Sequence, residues 1–409
     1  MPPPDFDACA RHLLTPQGLA DPFPLYHQLR ALAPVGWSSL FDGAWLVTGY
    51  GAVAEALRDE VRLSMEQGLA PKVEPHAGRG EEYKAFVSFV SHSMLVQDGR
   101  DHRRLRSIVA RAFTPRAAQE EMPLVERIAE ELVAPLVDRP DFDLATELAH
   151  PLPTRVIAEL FGLPREDTDQ LRAWASDLTV FLGGGPDPAE TIDAALVSTL
   201  AITRYFEEQL ARRRRRPSDD LISDLLAYEE GGDRLRDKEI LAQCLLLFTA
   251  GHQTTADLLS GAAWQLLGDP ALLAQLRAQP DLLAAALEEV LRYDGPVQMA
   301  GRLAVAPREL AGTPIEAGQR VILVLGAANR DPERFPEPDR FLLPRPDNPH
   351  LAFGAGPHQC LGAALARTEA RVALEVLLRR LPGKLAVAPP VRDLNVAFRR
   401  ITSLPVCST

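Results

Sequence analysis

Residues 353–362 read FGAGPHQCLG, with three glycines, a histidine and a single cysteine in ten positions. A thiol so placed can be a disulfide partner, a zinc ligand, a nucleophile, an axial ligand of a haem iron or core filler, and the decapeptide leaves all five open. Gly354 and Gly356 permit tight turns that bring backbone N–H groups near the sulfur, and Gly362 removes a side chain where something flat can lie. Helical periodicity resumes at Leu361 (LGAALARTEARVALEVLLRR), which puts Cys360 at a helix N-terminus, where the dipole and free N–H groups favour a thiolate. An inert buried cysteine in a glycine-rich turn fits the same spacing. Zinc fits less well, because His358 and Cys360 supply two ligands and no second pair is in evidence.

Working outward, the 409 residues show no Ser/Gly/Pro linker, repeat or shift in composition, so the chain reads as one domain, 1–409. A net charge of −12 argues against nucleic acid as a partner. The N-terminus MPPPDFDACARHLL lacks the basic and apolar regions of a signal peptide. The longest uncharged stretch, Ile240 to Ala256, is shorter than the ~20 apolar residues that span a bilayer. The expectation is a cytoplasmic monomer that does not enter a membrane. Cys9, Cys244, Cys360 and Cys407 form no Cys-x-x-Cys pair, so neither a disulfide framework nor a cysteine-rich zinc site is expected.

Helical periodicity dominates, over roughly 101–112, 121–137, 144–161, 165–182, 188–215, 218–228, 234–267, 270–278, 280–293 and 361–380. Strand signals are confined to Trp45–Thr48, Arg320–Val324 and the last 25 residues, and 295–357 is an irregular proline-rich meander. The expected class is mainly α with small β-sheets. The segment 234–267 would make about nine turns, and its middle is apolar on all faces (Leu241, Leu245, Leu246, Leu247, Phe248), which marks a helix through the interior. Inside it stands Ala250-Gly251-His252-Gln253-Thr254-Thr255. Taken alone, these threonines read as hydroxyls bonding back to the carbonyl one turn earlier.

Two other constellations are weak singly. Glu289 and Arg292, three apart on a helix, read as an ordinary ion pair. His102 and Arg106, four apart in RDHRRLR, could share an anion or form a solvated basic face.

Their order along the chain, however, resembles the cytochrome P-450 family, specifically its soluble bacterial branch, from about residue 20 onward. The family's haem-binding pattern F-G-x-G-x-H-x-C-x-G is met by Phe353, Gly354, Gly356, His358, Cys360 and Gly362, and its E-x-x-R by Glu289 and Arg292, with Arg340 as third member of a buried network. AANRDP (327–332) and HLAFG (350–354) are also similar. The resemblance implies haem b with Cys360 as its thiolate ligand, lying between the cysteine loop and the long central helix. It implies propionate contacts from His102, Arg106, Arg302 and His358, and Thr254 as the oxygen-activating threonine beside Ala250 and Gly251. The family's usual acid before that threonine is Gln253 here, which raises the question of how protons arrive; a water path past Thr254, through a helix opened at Gly251 and aided by His252, is one answer.

The implied reaction is insertion of one oxygen atom of O2 into a hydrophobic small molecule. Electrons would come from a ferredoxin and its NAD(P)H-dependent reductase, since no flavin or iron–sulfur module is fused. Family position nominates Val96, Leu247, Val297, Met299 and Ile401 as substrate contacts, Gly183-Gly184-Gly185-Pro186 as a lid hinge, and Arg103 and Arg104 as a docking surface for an acidic partner. A non-catalytic haem-based ligand binder or sensor and a peroxide-driven peroxygenase are the alternatives.

Overall fold

The computed structural model describes residues 5–65, 78–182, 188–230, 233–381, 383, 385–393 and 395–408; the glycine run 183–186 lies outside them. The helices read from periodicity are present with shifted ends: Gly99–Val109, Met122–Val133, Pro151–Leu160, Thr168–Leu182, Pro188–Arg215, Leu221–Ala227, Asp237–Leu267, Pro270–Ala278, Leu282–Asp294 and Ala363–Arg380. The pattern at 144–161 divides into a π-helical turn, Ala145–Ala149, and the helix Pro151–Leu160, because Pro151 has no N–H to continue the first segment. Periodicity missed Asp5–Arg11, Phe23–Leu32, Tyr50–Arg58 and Glu81–His92. Phe23–Leu32 shows why: it buries only Phe23, Tyr26 and Leu29, a stripe too narrow to stand out.

The central helix, Asp237–Leu267, is one uninterrupted element. Leu245, Leu246, Leu247, Phe248, Leu258 and Leu259 are all buried on it, each worth roughly 1.5–3 kcal/mol relative to exposure. Glu81–His92, Pro151–Leu160, Thr168–Leu182 and Ala363–Arg380 pack around it. Beside this helical body stands a five-stranded sheet in the order Val35–Ser38, Ala44–Val47, Arg320–Val324, Met299–Ala304, Leu63–Ser64. Ala44–Val47 and Arg320–Val324 run parallel, with Ala44 opposite Arg320 and Val47 opposite Leu323; the other pairs are antiparallel. A smaller sheet joins Leu385–Val387, Pro405–Ser408 and Asp141–Asp143. Among the described residues no helix is long and apolar enough to cross a membrane.

The meander is tied down by buried ions. Glu289 and Arg292 are both fully enclosed and doubly bonded, Arg292 Nε to Oε2 at 2.8 Å and Nη2 to Oε1 at 2.7 Å. Arg292 also donates to the carbonyls of Asn329, Pro338 and Arg340. The third member is not Arg340. Its guanidinium is exposed and pairs with Glu337, and only its carbonyl joins the network. Arg345 takes the place, its Nε 3.0 Å from Glu289 Oε2, with Leu342 N–H and Asn348 Nδ2 donating to the same carboxylate. A lone carboxylate at this depth would be prohibitive, so five donor groups from four residues converge on it.

Candidate active site

Gly354 (φ 68°) and Gly356 (φ 73°) adopt the left-handed conformation, and a Cβ on Gly356 would stand 2.9 Å from the Arg58 Cα. These turns fold the loop so that Cys360 N–H donates to Phe353 O at 2.8 Å. The helix starts at Ala363, two residues later than the periodicity suggests. Gly362 N–H therefore remains free to donate toward the Cys360 sulfur, lowering its pKa, as do the charges of Arg106 and Arg367. The larger influence is desolvation, which pushes the thiol up, yet the residue is exposed. Both hold if the sulfur faces an internal space ringed by protein. A Cβ on Gly362 would meet nothing within 4 Å, as a site for a flat group requires.

Beside the loop is a cationic wall. His102, four residues before Arg106 on Gly99–Val109, is buried and stacks on His358 at 4.0 Å between ring centroids. Its Nδ1 has no partner among the described residues, and burial, His358 and Arg106 drive its pKa down to about 4. Arg302 is buried and pulled down to about 10 by desolvation, with only Asp98 acting against this. Asp98 is shared, since it also accepts from His358 Nε2 at 3.2 Å and from Met65 N–H. Two desolvated guanidiniums and an orphaned imidazole nitrogen suit a dianionic ligand, so the donor set fits a haem with two propionates. Phe353 lies under the Arg367 guanidinium at 4.5 Å, and Arg367 is fixed bidentately by Glu288, which also accepts from His350 at 3.0 Å. Hydrogen bonds from Arg367 and His350 hold Glu288 at about 2 despite burial. Sequence reasoning missed Arg367 and Glu288; the i+7 spacing of Arg367 from Cys360 was the available signal.

On the central helix Ala250 is exposed and Thr254 half-exposed, although residues 242–249 and 255–263 are buried. Thr254 Oγ1 donates back to Ala250 O at 3.0 Å. No opening occurs at Gly251, because the helix is continuous there. His252 does not aid Thr254 either, being about 160° away around the helix, with Nδ1 on Phe248 O at 3.1 Å. Gln253 is buried, its Nε2 donating to Asp257 Oδ1 at 3.1 Å.

The nominated substrate contacts are not brought together. Leu247 and Ile401 sit in the main core, Val297 packs against the cluster under the sheet, and Val96 is buried before Gly99–Val109. Met299 is a correction. Strand alternation turns it to the face opposite Arg302, into the cluster of Phe6, Tyr26, Leu46 and Val324. Arg104 is another: it turns inward to Glu239, which is buried, whereas Arg103 stays exposed beside Glu60. The four cysteines are free of disulfides.

Against known proteins, the sequence profile of the family described as Cytochrome P450 matches residues 198–395. The chain is 37% identical to the "Biotin biosynthesis cytochrome P450" of Bacillus subtilis (strain 168), covering 95% of this chain and 96% of the relative. It is 39% identical to the "Cytochrome P450 monooxygenase PikC" of Streptomyces venezuelae, over 95% and 91%. Its fold superposes with TM-score 0.88 on the crystal structure of P450BioI in complex with hexadec-9Z-enoic acid ligated acyl carrier protein, at 34% identity over 98% of this chain and all of that one.

Proposed function

The chain belongs to the cytochrome P450 family and is a haem-dependent monooxygenase; we propose that Cys360 is its iron ligand and that Ala250, Gly251 and Thr254 face the oxygen. The observation that carries this assignment is an exposed thiol beside desolvated cations, Arg106 and Arg302, that no carboxylate of the described residues pairs with directly. When bound, a thiolate-ligated haem supplies the activation of dioxygen. The protein's own residues do the rest. His102, Arg106, Arg302 and His358 bind the propionates, Phe353 and Gly354 shape the loop, and Gly362 leaves the ring plane clear. Thr254 keeps a hydroxyl proton at Oγ1, held in place by Ala250 O.

Thr254→Ala is expected to release hydrogen peroxide at the expense of product, with coupling down by roughly tenfold or more, since positioned proton donors contribute ~10²–10⁴-fold. The ratio of product formed to NAD(P)H consumed, with surrogate ferredoxin and reductase, measures this; unchanged coupling refutes the role.

The substrate is a hydrophobic small molecule, and on the strand that carries Arg302 it is Ala300, not Met299, that shares the Arg302 side. Reducing equivalents pass from NAD(P)H through separate ferredoxin and reductase proteins to a single-domain monomer in the cytoplasm. Of the two arginines beside the propionate pair, Arg103 alone remains available to an acidic partner. Arg103→Glu should slow reduction several-fold at low salt, and the effect should vanish at high salt, where screening shortens below ~10 Å. Arg104→Glu should instead lower the melting temperature by placing a second carboxylate against Glu239. Stopped-flow reduction across a salt series, with thermal melts, separates the two.

A further inference from the structure

The helix that carries Gln253 where an acid is usual also carries an acid one turn on. Asp257 is 3% exposed. Ala250, Thr254 and Asp257 fall within about 60° of one another around the helix at ~100° per residue, so Asp257 continues the stripe on which Ala250 and Thr254 are open. Its Oδ1 accepts from Gln253 Nε2 at 3.1 Å and from Ile401 N–H at 3.3 Å. Its Oδ2 is buried and has no partner among the described residues. The same cluster holds a second orphan, Arg400 Nε, while Arg400 Nη2 approaches Gln253 Oε1 at 3.5 Å and Nη1 is paired with Asp393 at 2.9 Å. A buried carboxyl oxygen with no donor, on the stripe that leads to Thr254, is what a site of proton loading requires and what a purely structural aspartate avoids.

We propose that Asp257 supplies protons to the Thr254 side of the central helix, with Gln253 positioning its carboxyl and Arg400 steadying it once ionised. This rests on the reading of Thr254 given above. In the step, the Oδ2–H bond breaks, the proton passes to water on the Thr254 side, and the carboxylate left behind is reprotonated from solvent; no electrons move. Burial raises the Asp257 pKa to about 7 against the pull of Arg400, the Gln253 and Ile401 hydrogen bonds and Arg392. Arg400 and Arg392 are the charged groups facing it from the C-terminal segment. On its own helix His252, brought down to about 4 by burial, is neutral, with Arg172, Arg400 and His150 around it, and His150 is also lowered by burial. Near neutral pH, Asp257 is therefore the cluster's exchanging acid.

The sign of the pH dependence follows. Below about 7 the carboxyl is loaded and can donate; coupling falls as pH rises through that value. The unfolded chain gives up this proton near 3.8, so the native state loses stability as pH rises from there to about 7. Asp257→Asn removes that loss.

Infrared titration of the substrate-free holoprotein reads the group without turnover. The wild type minus Asp257→Asn spectrum should contain a protonated-carboxyl C=O band that disappears with a midpoint near pH 7. In parallel, Asp257→Asn should lower kcat by at least ~10-fold with little change in KM, and flatten the pH profile of coupling. Asp257→Glu should restore both. A carboxyl already ionised at pH 5, or an Asp257→Asn enzyme with wild-type coupling and pH profile, overturns the proposal. If Asp257→Asn folds poorly, the absence of the band in wild type still decides against it, and the Glu variant tests the function. Should Thr254→Ala uncouple the enzyme while Asp257→Asn does not, the reading of Thr254 stands and this proposal fails; an innocuous Thr254→Ala removes the reading itself.

Discussion

Replacing Cys360 with alanine is expected to abolish the strongly red-shifted Soret band of the reduced, carbon-monoxide-bound protein. The same change at Cys244 or Cys407 should leave it intact. The difference lies in what surrounds each sulfur. Cys244 is fully buried, and desolvation, with the Asp220 charge adding to it, drives its pKa far up, so it acts as a small apolar side chain. Cys407 is exposed on the central strand of the smaller sheet, between Ala386 and Asp141. Cys360 has the Gly362 N–H at its sulfur, with Arg106 and Arg367 adding positive charge. Desolvation outweighs these at the thiol, and a metal cation held there would favour the thiolate instead. Loss of the band in Cys244→Ala with its survival in Cys360→Ala would refute the assignment.

The second large effect concerns Glu289 and its two arginines. Arg345→Ala or Glu289→Gln should destabilise the fold by about 3–5 kcal/mol, the usual result of stranding one partner of a buried pair. That is a large share of a typical total of ~5–15 kcal/mol, so both variants should express with little haem. Arg340→Ala should stay within about 0.5 kcal/mol, because only the backbone of that residue is engaged. Urea midpoints and haem content after purification test the contrast. A harmless Arg345→Ala beside a collapsed Arg340→Ala would mean that the network has been assigned to the wrong arginine.

That contrast also marks how far the sequence could be read. The cysteine loop, the central helix and the Glu289–Arg292 pair were legible because each is a local pattern, fixed by spacings of three or four residues or by glycine. Arg340 and Arg345 lie in a meander without periodicity, and which one turns inward depends on the chain path between Glu337, held at φ 48°, and Asn348. Met299 was misplaced for a similar reason: its face follows from strand register, which pairs it with Val324. The Asp257–Arg400 cluster joins the central helix to the C-terminal segment, 143 positions on by residue number, and no local pattern announces such a contact. The salt partner of Arg104 was hidden in the same way.

The parallel pairing of Ala44–Val47 with Arg320–Val324 has a consequence for biosynthesis. A strand made early must wait for one made late, and at ~5–20 residues per second a ribosome needs roughly 15–55 s to cross that interval. Meanwhile the early hairpin, with Trp37 packed edge-on to Trp45 at 5.5 Å, offers an unpaired edge to any neighbouring nascent chain. The helical body needs far less long-range pairing and can condense first. Yield of soluble protein should therefore depend on how long that edge stays covered, and a ribosome-associated holdase should raise it more than a slower induction does.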